Sequence, residues 1–252
     1  RILFESMNVE ISMLSVNQNS RVSHLLSFCL ALFVLFGTAQ QAFAIRVVTY
    51  NVLNYNGGRH DSLRLIFNAM QADVILLQEV SNLSDAVEIL NDVLNHASGP
   101  QGYALATYTD DGAQNNVLLY RTAVFNYAGI QDHFDVPSSP RETDRWKLSI
   151  NGYSGLSWYF YGGHLKAGST SSNEAERQVA AGVIRQNTNQ LPNDSFFLFG
   201  GDFNLKRSSE PAYPVLIGSA SDNSGRLFDP INTPGNWTNN FSFASIHTQS
   251  PH

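Results

Sequence analysis

Four apolar segments of this chain each run directly into a polar side chain, and this repeated layout limits the folds that the chain can adopt. The polar residues are Asn51 after RVVTY, Glu79 after DVILLQ, His164 after WYFYGG and Asp202 after FFLFGG. Short apolar segments of this kind are typical of buried β-strands, and segments with helical periodicity lie between them. Ligand sites of α/β proteins gather at the ends of such strands. The sequence therefore predicts an α/β fold with one site at the four strand ends.

The remaining elements are predicted from hydrophobic periodicity and from helix-start signals. A helix at 60–71 places Leu63, Phe67 and Met70 on one buried face, with Asp61 as its N-cap. Two more helices are expected, from about Asp85 and at 173–190. Strands are predicted at 46–52, 73–77, 103–107, 116–120, 123–127, 147–150, 158–162 and 196–199. The chain after Ser208 is predicted to be mostly loop, with one further strand at 241–246.

The first 44 residues are predicted to be upstream residues and a signal peptide. An apolar run at 25–39 follows Arg21 and precedes Ala42-Phe43-Ala44, a pattern typical of secretory signal peptides. A spanning helix needs about 20 apolar residues, and this run is shorter, so a membrane anchor is disfavoured. Cys29 lies in this segment and is the only cysteine, so thiolate nucleophiles and Cys-ligated zinc are excluded after cleavage. We expect a secreted or periplasmic protein with no stable membrane anchor.

The remainder, 45–252, is predicted to be one domain, and we expect it to be monomeric. The formal net charge of −6 argues against a broad basic face for sequence-independent nucleic-acid binding. A local phosphate site is compatible with this charge. Trp237 is predicted to be an exposed aromatic residue that suits lipid or base stacking.

The segment GDFN carries the densest chemistry in the chain. Asp202 and Asn204 are two residues apart, so in an extended strand both side chains face one side and Phe203 faces the core. Gly200 and Gly201 leave room where a ligand or a neighbouring strand comes close. An ordinary turn is the alternative for this segment alone, but the other three strand ends favour a site. Glu79 at a strand mouth suits a hard divalent cation such as Mg²⁺.

The segments TYNVLNY, DVILLQEV, YGGHLKAG and FLFGGDFN, in this order and spacing, resemble the endonuclease/exonuclease/phosphatase superfamily. This group contains DNase I-like nucleases, inositol-phosphate phosphatases and neutral sphingomyelinases. The resemblance covers Ile45 to about Leu205. It implies a four-layer α/β sandwich of two mixed β-sheets flanked by helices. It also implies hydrolysis of a phosphate ester that depends on Mg²⁺, with Mn²⁺ or Ca²⁺ as alternative ions.

The resemblance also implies a role for each residue at the strand ends. Glu79 matches the metal-binding glutamate, and Asn51 matches an asparagine beside the metal and the phosphate. His164 matches a histidine that contacts the phosphate. Asp202 and Asn204 match the pair that orients and activates the attacking water.

Arg145 matches, more loosely, an arginine that binds phosphate in the family. Arg141 lies four residues away and is an alternative match, and a rim ion pair is the more ordinary role of either residue.

Two features depart from the family pattern. Leu53 stands where some nucleases of the family carry an acid, with Asn54 as a partial substitute. The last strand of the family carries an Asp-His pair, usually within a Ser-Asp-His motif, and its histidine is needed for catalysis. Neither His247 nor His252 lies in such a motif. We therefore predict that the final strands are missing, that the domain is incomplete at its C-terminus and that this piece alone is poorly active.

Three functions are consistent with these features. A secreted nuclease or phosphodiesterase comes first, with nucleic acid among its substrates. An inositol-phosphate phosphatase or sphingomyelinase-like enzyme is the alternative within the same chemistry. A non-catalytic module that binds a phospho-ligand is the third, if the loss of the terminal histidine is genuine.

Overall fold

The computed structural model describes residues 44–246 except 111, 113, 137–141 and 154. Within that range, two four-stranded β-sheets lie face to face. The signal-peptide prediction and the two histidines His247 and His252 fall outside the described residues. The strands are β1 (Val47–Tyr55), β2 (Val74–Val80), β3 (Tyr103–Leu105), β4 (Asn115–Arg121), β5 (Phe125–Phe134), β6 (Thr143–Ile150), β7 (Ser157–His164) and β8 (Phe196–Asp202). The helices are α1 (His60–Met70), α2 (Leu83–Glu88), α3 (Ser171–Asn189) and α4 (Ala212–Ile217).

Both sheets are mixed, and each contains one parallel pair. The first sheet has the order β1-β2-β4-β3, and the second has the order β5-β6-β7-β8. Strand β1 runs parallel to β2, and β7 runs parallel to β8, whereas the other neighbours are antiparallel. The carboxyl ends of parallel strands lie at the same edge of a sheet, so Asn51 lies near Glu79, and His164 pairs in register with Asp202.

The main core lies between the sheets, and helices cover their outer faces. Leu76 and Leu118 of the first sheet share an apolar cluster with Trp146 and Phe160 of the second. Helix α1 packs on the outer face of the first sheet, and α3 and α4 pack outside the second. Burial of one large apolar side chain contributes about 1.5–3 kcal/mol, so each of these layers contributes substantially to the stability of the sandwich. The predicted four-layer α/β architecture is confirmed.

Several local predictions are wrong. Helix α1 begins at His60, with Arg59 in the left-handed conformation as its N-cap, so Asp61 lies within the first turn. The predicted strand at 241–246 is a short 3₁₀ turn, Phe241–Phe243. The chain after Ser208 is mostly loop, as predicted, although it also contains the short helix α4. Trp237 is only 1% exposed and packs against Tyr213, so it offers no surface for stacking.

The glycines before Asp202 allow close packing of protein elements. A Cβ atom at Gly201 would collide with the carbonyl oxygen of Gly163 on β7. A Cβ atom at Gly200 would lie 2.7 Å from Cδ1 of Leu76 in the opposite sheet. The sequence left open whether these glycines make room for a ligand or for a neighbouring strand. At Gly201 the close approach of the neighbouring strand β7 is the reason.

Replacing Gly201 with alanine is expected to lower the free energy of unfolding by about 1–3 kcal/mol, because the β7 backbone must move. Gly182 in α3 is the matched control, since a Cβ atom there meets no atom within 4 Å. Alanine at Gly182 should raise the free energy of unfolding by up to about 1 kcal/mol through helix propensity. Urea unfolding of both variants measures the difference, and equal stabilities would contradict this packing.

None of the helices within the described residues combines the length and the apolar character needed to cross a membrane.

Candidate metal and catalytic site

The structure brings four of the predicted site residues together at the ends of the two parallel strand pairs. Nε2 of His164 lies 3.8 Å from Oε1 of Glu79 and 3.6 Å from Oδ2 of Asp202. One potential ligand atom from each of these three residues lies within 4.8 Å of the others. Glu79 is 0% exposed and Asp202 is 2% exposed. Two carboxylates and an imidazole therefore share one buried volume that neither sheet forms alone.

Asn51 connects the two carboxylates. Its Nδ2 donates to Oε1 of Glu79 at 2.8 Å and to Oδ2 of Asp202 at 3.1 Å. Its Oδ1 accepts from the backbone N–H of Leu53 at 2.8 Å, which determines the orientation of the amide. The amide nitrogen thus faces the carboxylates, and an N–H group cannot ligate a cation. In this arrangement Asn51 orients the two acids and does not offer its oxygen to a metal ion.

The backbone around Glu79 is held in an uncommon conformation. Leu53, Asn54 and Glu79 have φ values of 52°, 45° and 64°, in the left-handed region that residues other than glycine seldom adopt. The β1–β2 register shifts here, and the N–H of Asn54 donates to Oε2 of Glu79 at 2.9 Å. Conformations of this type each cost about 1–3 kcal/mol and cluster at functional sites. Leu53 and Asn54 thus serve the site through backbone groups, where some family nucleases carry an acid.

Asn204 is tied to Asp202, although not by the strand geometry that we expected. Strand β8 ends at Asp202, and Asn204 has a φ of 51°, so the two side chains do not share one face of an extended strand. The N–H of Asn204 instead donates to Oδ1 of Asp202 at 3.0 Å, and its Nδ2 donates to the carbonyl of Leu165 at 3.0 Å. Its Oδ1 is buried and has no hydrogen-bond partner among the described residues. That oxygen is available to a ligand.

Burial raises the pKa of Asp202 above the usual range of a carboxyl group. Hydrogen bonds from Asn204 and Asn51 and the positive charge of Lys206 lower the pKa, and the negative charge of Glu79 raises it. Lys206 is 9% exposed and follows Asn204 by two residues. We did not predict a role for Lys206, although it is the first basic residue after GDFN.

Arg145 does not join the cluster. It lies on β6 between the core residues Asp144 and Trp146, so its side chain faces the outer surface of the second sheet. There it donates to Oδ1 of Asn187 at 2.9 Å and pairs with Asp132. The structure therefore provides no support for Arg145 as a phosphate ligand. Arg141, the alternative match, lies outside the described residues.

The donor groups at this site fit a divalent cation. Two buried carboxylates within one small volume repel each other, and a cation between them offsets that repulsion. The carboxylates of Glu79 and Asp202 supply the oxygen atoms that Mg²⁺, Mn²⁺ and Ca²⁺ accept, and His164 borders the same volume.

A sequence model of the Endonuclease/Exonuclease/phosphatase family matches residues 48–248. The chain belongs to this family. The match includes all four strand ends, and members of the family are divalent-metal-dependent phosphoesterases. No curated protein sequence matches the chain.

Solved structures of the family share the fold at low sequence identity. Danio rerio TDP2, humanized by 14 mutations, is 20% identical with a TM-score of 0.52, covering 64% of this chain and 63% of that one. The human Nocturnin catalytic domain with bound sulfate is 20% identical with a TM-score of 0.55, covering 69% and 70%. A Bacteroides thetaiotaomicron mannosyl-6-phosphatase is 17% identical with a TM-score of 0.54, covering 67% and 68%. The match thus spans less than two thirds of the TDP2 chain.

Proposed function

We propose that this protein is a secreted, Mg²⁺-dependent hydrolase of phosphate esters that acts as a nuclease or phosphodiesterase. The observation that carries the proposal is the buried Glu79–His164–Asp202 cluster at the ends of four strands from two sheets. Clusters of buried titratable groups at the carboxyl ends of strands are typical of functional sites in α/β proteins. The proposed secretion rests on the apolar run at 25–39.

Glu79 and Asp202 are the residues that would hold the cation, and Asn51 would keep their carboxylates in position. When bound, the ion offsets the charge that develops on the phosphoryl oxygens. Mn²⁺ or Ca²⁺ would suit the same oxygen donors.

The protein side chains supply the remaining steps. The carboxylate of Asp202 accepts a proton from the attacking water. The free Oδ1 of Asn204 accepts a hydrogen bond from that water and orients it. Nε2 of His164 donates to a phosphoryl oxygen, which favours the more highly charged transition state. His164 and Asp202 lie opposite each other at the ends of β7 and β8, and Asn204 lies in the loop that follows β8.

Enzymes of the family hydrolyse different phosphate esters, so the substrate of this protein must be assigned by assay. One structural relative, Danio rerio TDP2, has been solved with a single-stranded DNA product at a TM-score of 0.51 and 19% identity, covering 64% of this chain and 61% of that one. We favour phosphodiesters for this protein, with nucleic acid first. A phosphatase is the second candidate, because the fold of the mannosyl-6-phosphatase is as similar to this chain as the fold of TDP2.

The test uses the purified full-length gene product after removal of metal with EDTA. Plasmid DNA, bis-p-nitrophenyl phosphate and sphingomyelin are offered with Mg²⁺, Mn²⁺ or Ca²⁺ in turn. We expect hydrolysis of DNA and of the nitrophenyl diester that returns with metal. Hydrolysis of none of the three substrates, or hydrolysis that EDTA leaves unchanged, would contradict the proposed function.

A further inference from the structure

A second buried charged pair, outside the catalytic cluster, joins the two loops that leave β7 and β8. Arg177 of α3 and Glu210 are both 0% exposed. Nε and Nη2 of Arg177 donate to Oε2 of Glu210 at 2.9 Å and 2.6 Å. This double hydrogen bond fixes the orientation of the guanidinium group relative to the carboxylate.

Each partner of the pair also binds the backbone of one loop. Nη1 of Arg177 donates to the carbonyl of Lys166 at 2.7 Å and to that of Gly168 at 3.0 Å. Oε1 of Glu210 accepts from the N–H of Lys206 at 2.6 Å. The ion pair therefore ties the loop after β7 to the loop after β8.

The attachment points lie close to the catalytic side chains. Lys166 follows His164 by two residues, and Lys206 follows Asn204 by two residues. Between them, the N–H of Leu165 donates to the carbonyl of Asp202 at 2.9 Å, and Nδ2 of Asn204 donates to the carbonyl of Leu165 at 3.0 Å. A shift of either loop would therefore change the separation of His164 and Asn204.

Stability alone does not explain a buried pair of this kind. Replacing buried ion pairs with apolar residues of similar volume is often neutral or stabilising, because the desolvation of two charges offsets most of their attraction. The Arg177–Glu210 pair has directed bonds to three backbone groups, which apolar residues cannot make. Directed bonds of this type fix geometry, and small displacements at a reacting centre lower rates strongly.

We propose that Arg177 and Glu210 are positioning residues that hold the loops after β7 and β8 together and so set the position of Asn204 relative to His164 in the hydrolytic reaction. This inference rests on the proposed function. Neither residue touches the catalytic cluster among the contacts of the described chain, so both act through the two loops.

The first comparison uses Arg177→Lys in the full-length protein, since lysine keeps the charge but cannot reach three acceptors. Arg185→Lys is the matched control. Arg185 is also a buried arginine of α3, and it binds the carbonyls of Leu216 and Gly218 beside α4, away from the catalytic loops. We expect Arg177→Lys to lower kcat by up to about 100-fold with little change in KM. Arg185→Lys should keep the wild-type kcat but lose about as much thermal stability as Arg177→Lys loses.

The second comparison uses the double variant Arg177→Met/Glu210→Leu, which removes both charges. We expect the thermal midpoint of the double variant to lie closer to the wild-type value than the midpoint of Arg177→Lys does. The kcat of the double variant should remain low. A double variant with both wild-type stability and wild-type kcat would overturn the proposal, because the pair would then be only structural. If the double variant does not fold, the comparison of the two lysine variants decides alone.

Two results of that comparison would also overturn the proposal: a wild-type kcat in Arg177→Lys, or equal losses of kcat in both lysine variants. The wild-type protein is assayed in the same series. No hydrolysis by the wild type would remove the proposed function itself, whereas an active wild type with an unaffected Arg177→Lys variant would remove only the positioning role.

Discussion

Replacing Asp202 with asparagine is expected to lower kcat for phosphodiester hydrolysis by about 10²–10⁴-fold. The change keeps the size of the side chain and an oxygen that accepts from the N–H of Asn204, but an amide cannot take a proton from water. Steady-state kinetics of the full-length protein with bis-p-nitrophenyl phosphate at saturating Mg²⁺ measure the loss. No other single replacement at the site removes both a proton acceptor and a cation-binding oxygen.

In the absence of metal, the stability of the same variant is expected to fall less with rising pH than that of the wild type, although its amide cannot also accept the hydrogen bond that Nδ2 of Asn51 donates to Oδ2 of Asp202. Burial raises the pKa of Asp202, so the ionised carboxylate is disfavoured in the folded state. The stability linked to a raised pKa is present below the pKa of the unfolded chain and is lost as the pH rises through the folded value. The asparagine variant lacks this titration, so thermal melting in EDTA at acidic and at neutral pH measures the difference in pH dependence.

Asp61→Asn is the control for both effects. Asp61 lies in the first turn of α1, and its side chain is 96% exposed, so neither activity nor stability should change appreciably. If Asp202→Asn keeps more than about a tenth of the wild-type kcat, Asp202 is not the general base.

The sequence could predict which residues come together in the site, because their proximity depends on the order and direction of the strands. Asn51, Glu79, His164 and Asp202 each follow an apolar strand, and strands that run parallel bring their carboxyl ends to one edge. The family resemblance supplied the chemistry expected at that edge. The structure then added the contact between the two sheets, which places all four residues in one buried volume.

The conformations within the site could not be predicted in this way. Glu79 and Asn204 both have positive φ values, which glutamate seldom adopts and which asparagine adopts in only a minority of cases. Tertiary hydrogen bonds hold them there, from Asn51 to Glu79 and from Asn204 to the carbonyl of Leu165. Interactions between residues so far apart in the chain leave no local signal. The Arg177–Glu210 pair, 33 residues apart, was missed for the same reason.

The outward placement of Arg145 had a sequence signal that we did not use. Trp146 and Leu148 are apolar and Arg145 and Lys147 are basic, an alternation that predicts a strand with its basic residues facing outward. Trp237 was misjudged because its surroundings are rich in Asn, Gly and Thr. Local composition suggested a loop, but the tryptophan packs on α4 residues that adjoin it only in the folded chain.

Replacing Glu79 with glutamine is expected to have the largest effect on metal binding. Glutamine keeps an oxygen for the N–H of Asn54 but loses the charge and one of the two carboxylate oxygens. Loss of an outer-shell partner weakens metal affinity by about 10–100-fold, and loss of a direct ligand should exceed that range. The rise in thermal midpoint that Mg²⁺ produces in the wild type should disappear in the same variant.

Titration of the full-length protein with Mn²⁺, followed through the EPR signal of the free ion, tests directly whether the strand ends form a metal site. Glu176→Gln is the control, because Glu176 lies on α3 and approaches Lys166 at the surface. We predict one tight site in the wild type and in Glu176→Gln, and a loss of affinity of more than about 100-fold in Glu79→Gln. Equal Mn²⁺ affinity in the wild type and in Glu79→Gln would contradict a cation site at Glu79 and Asp202.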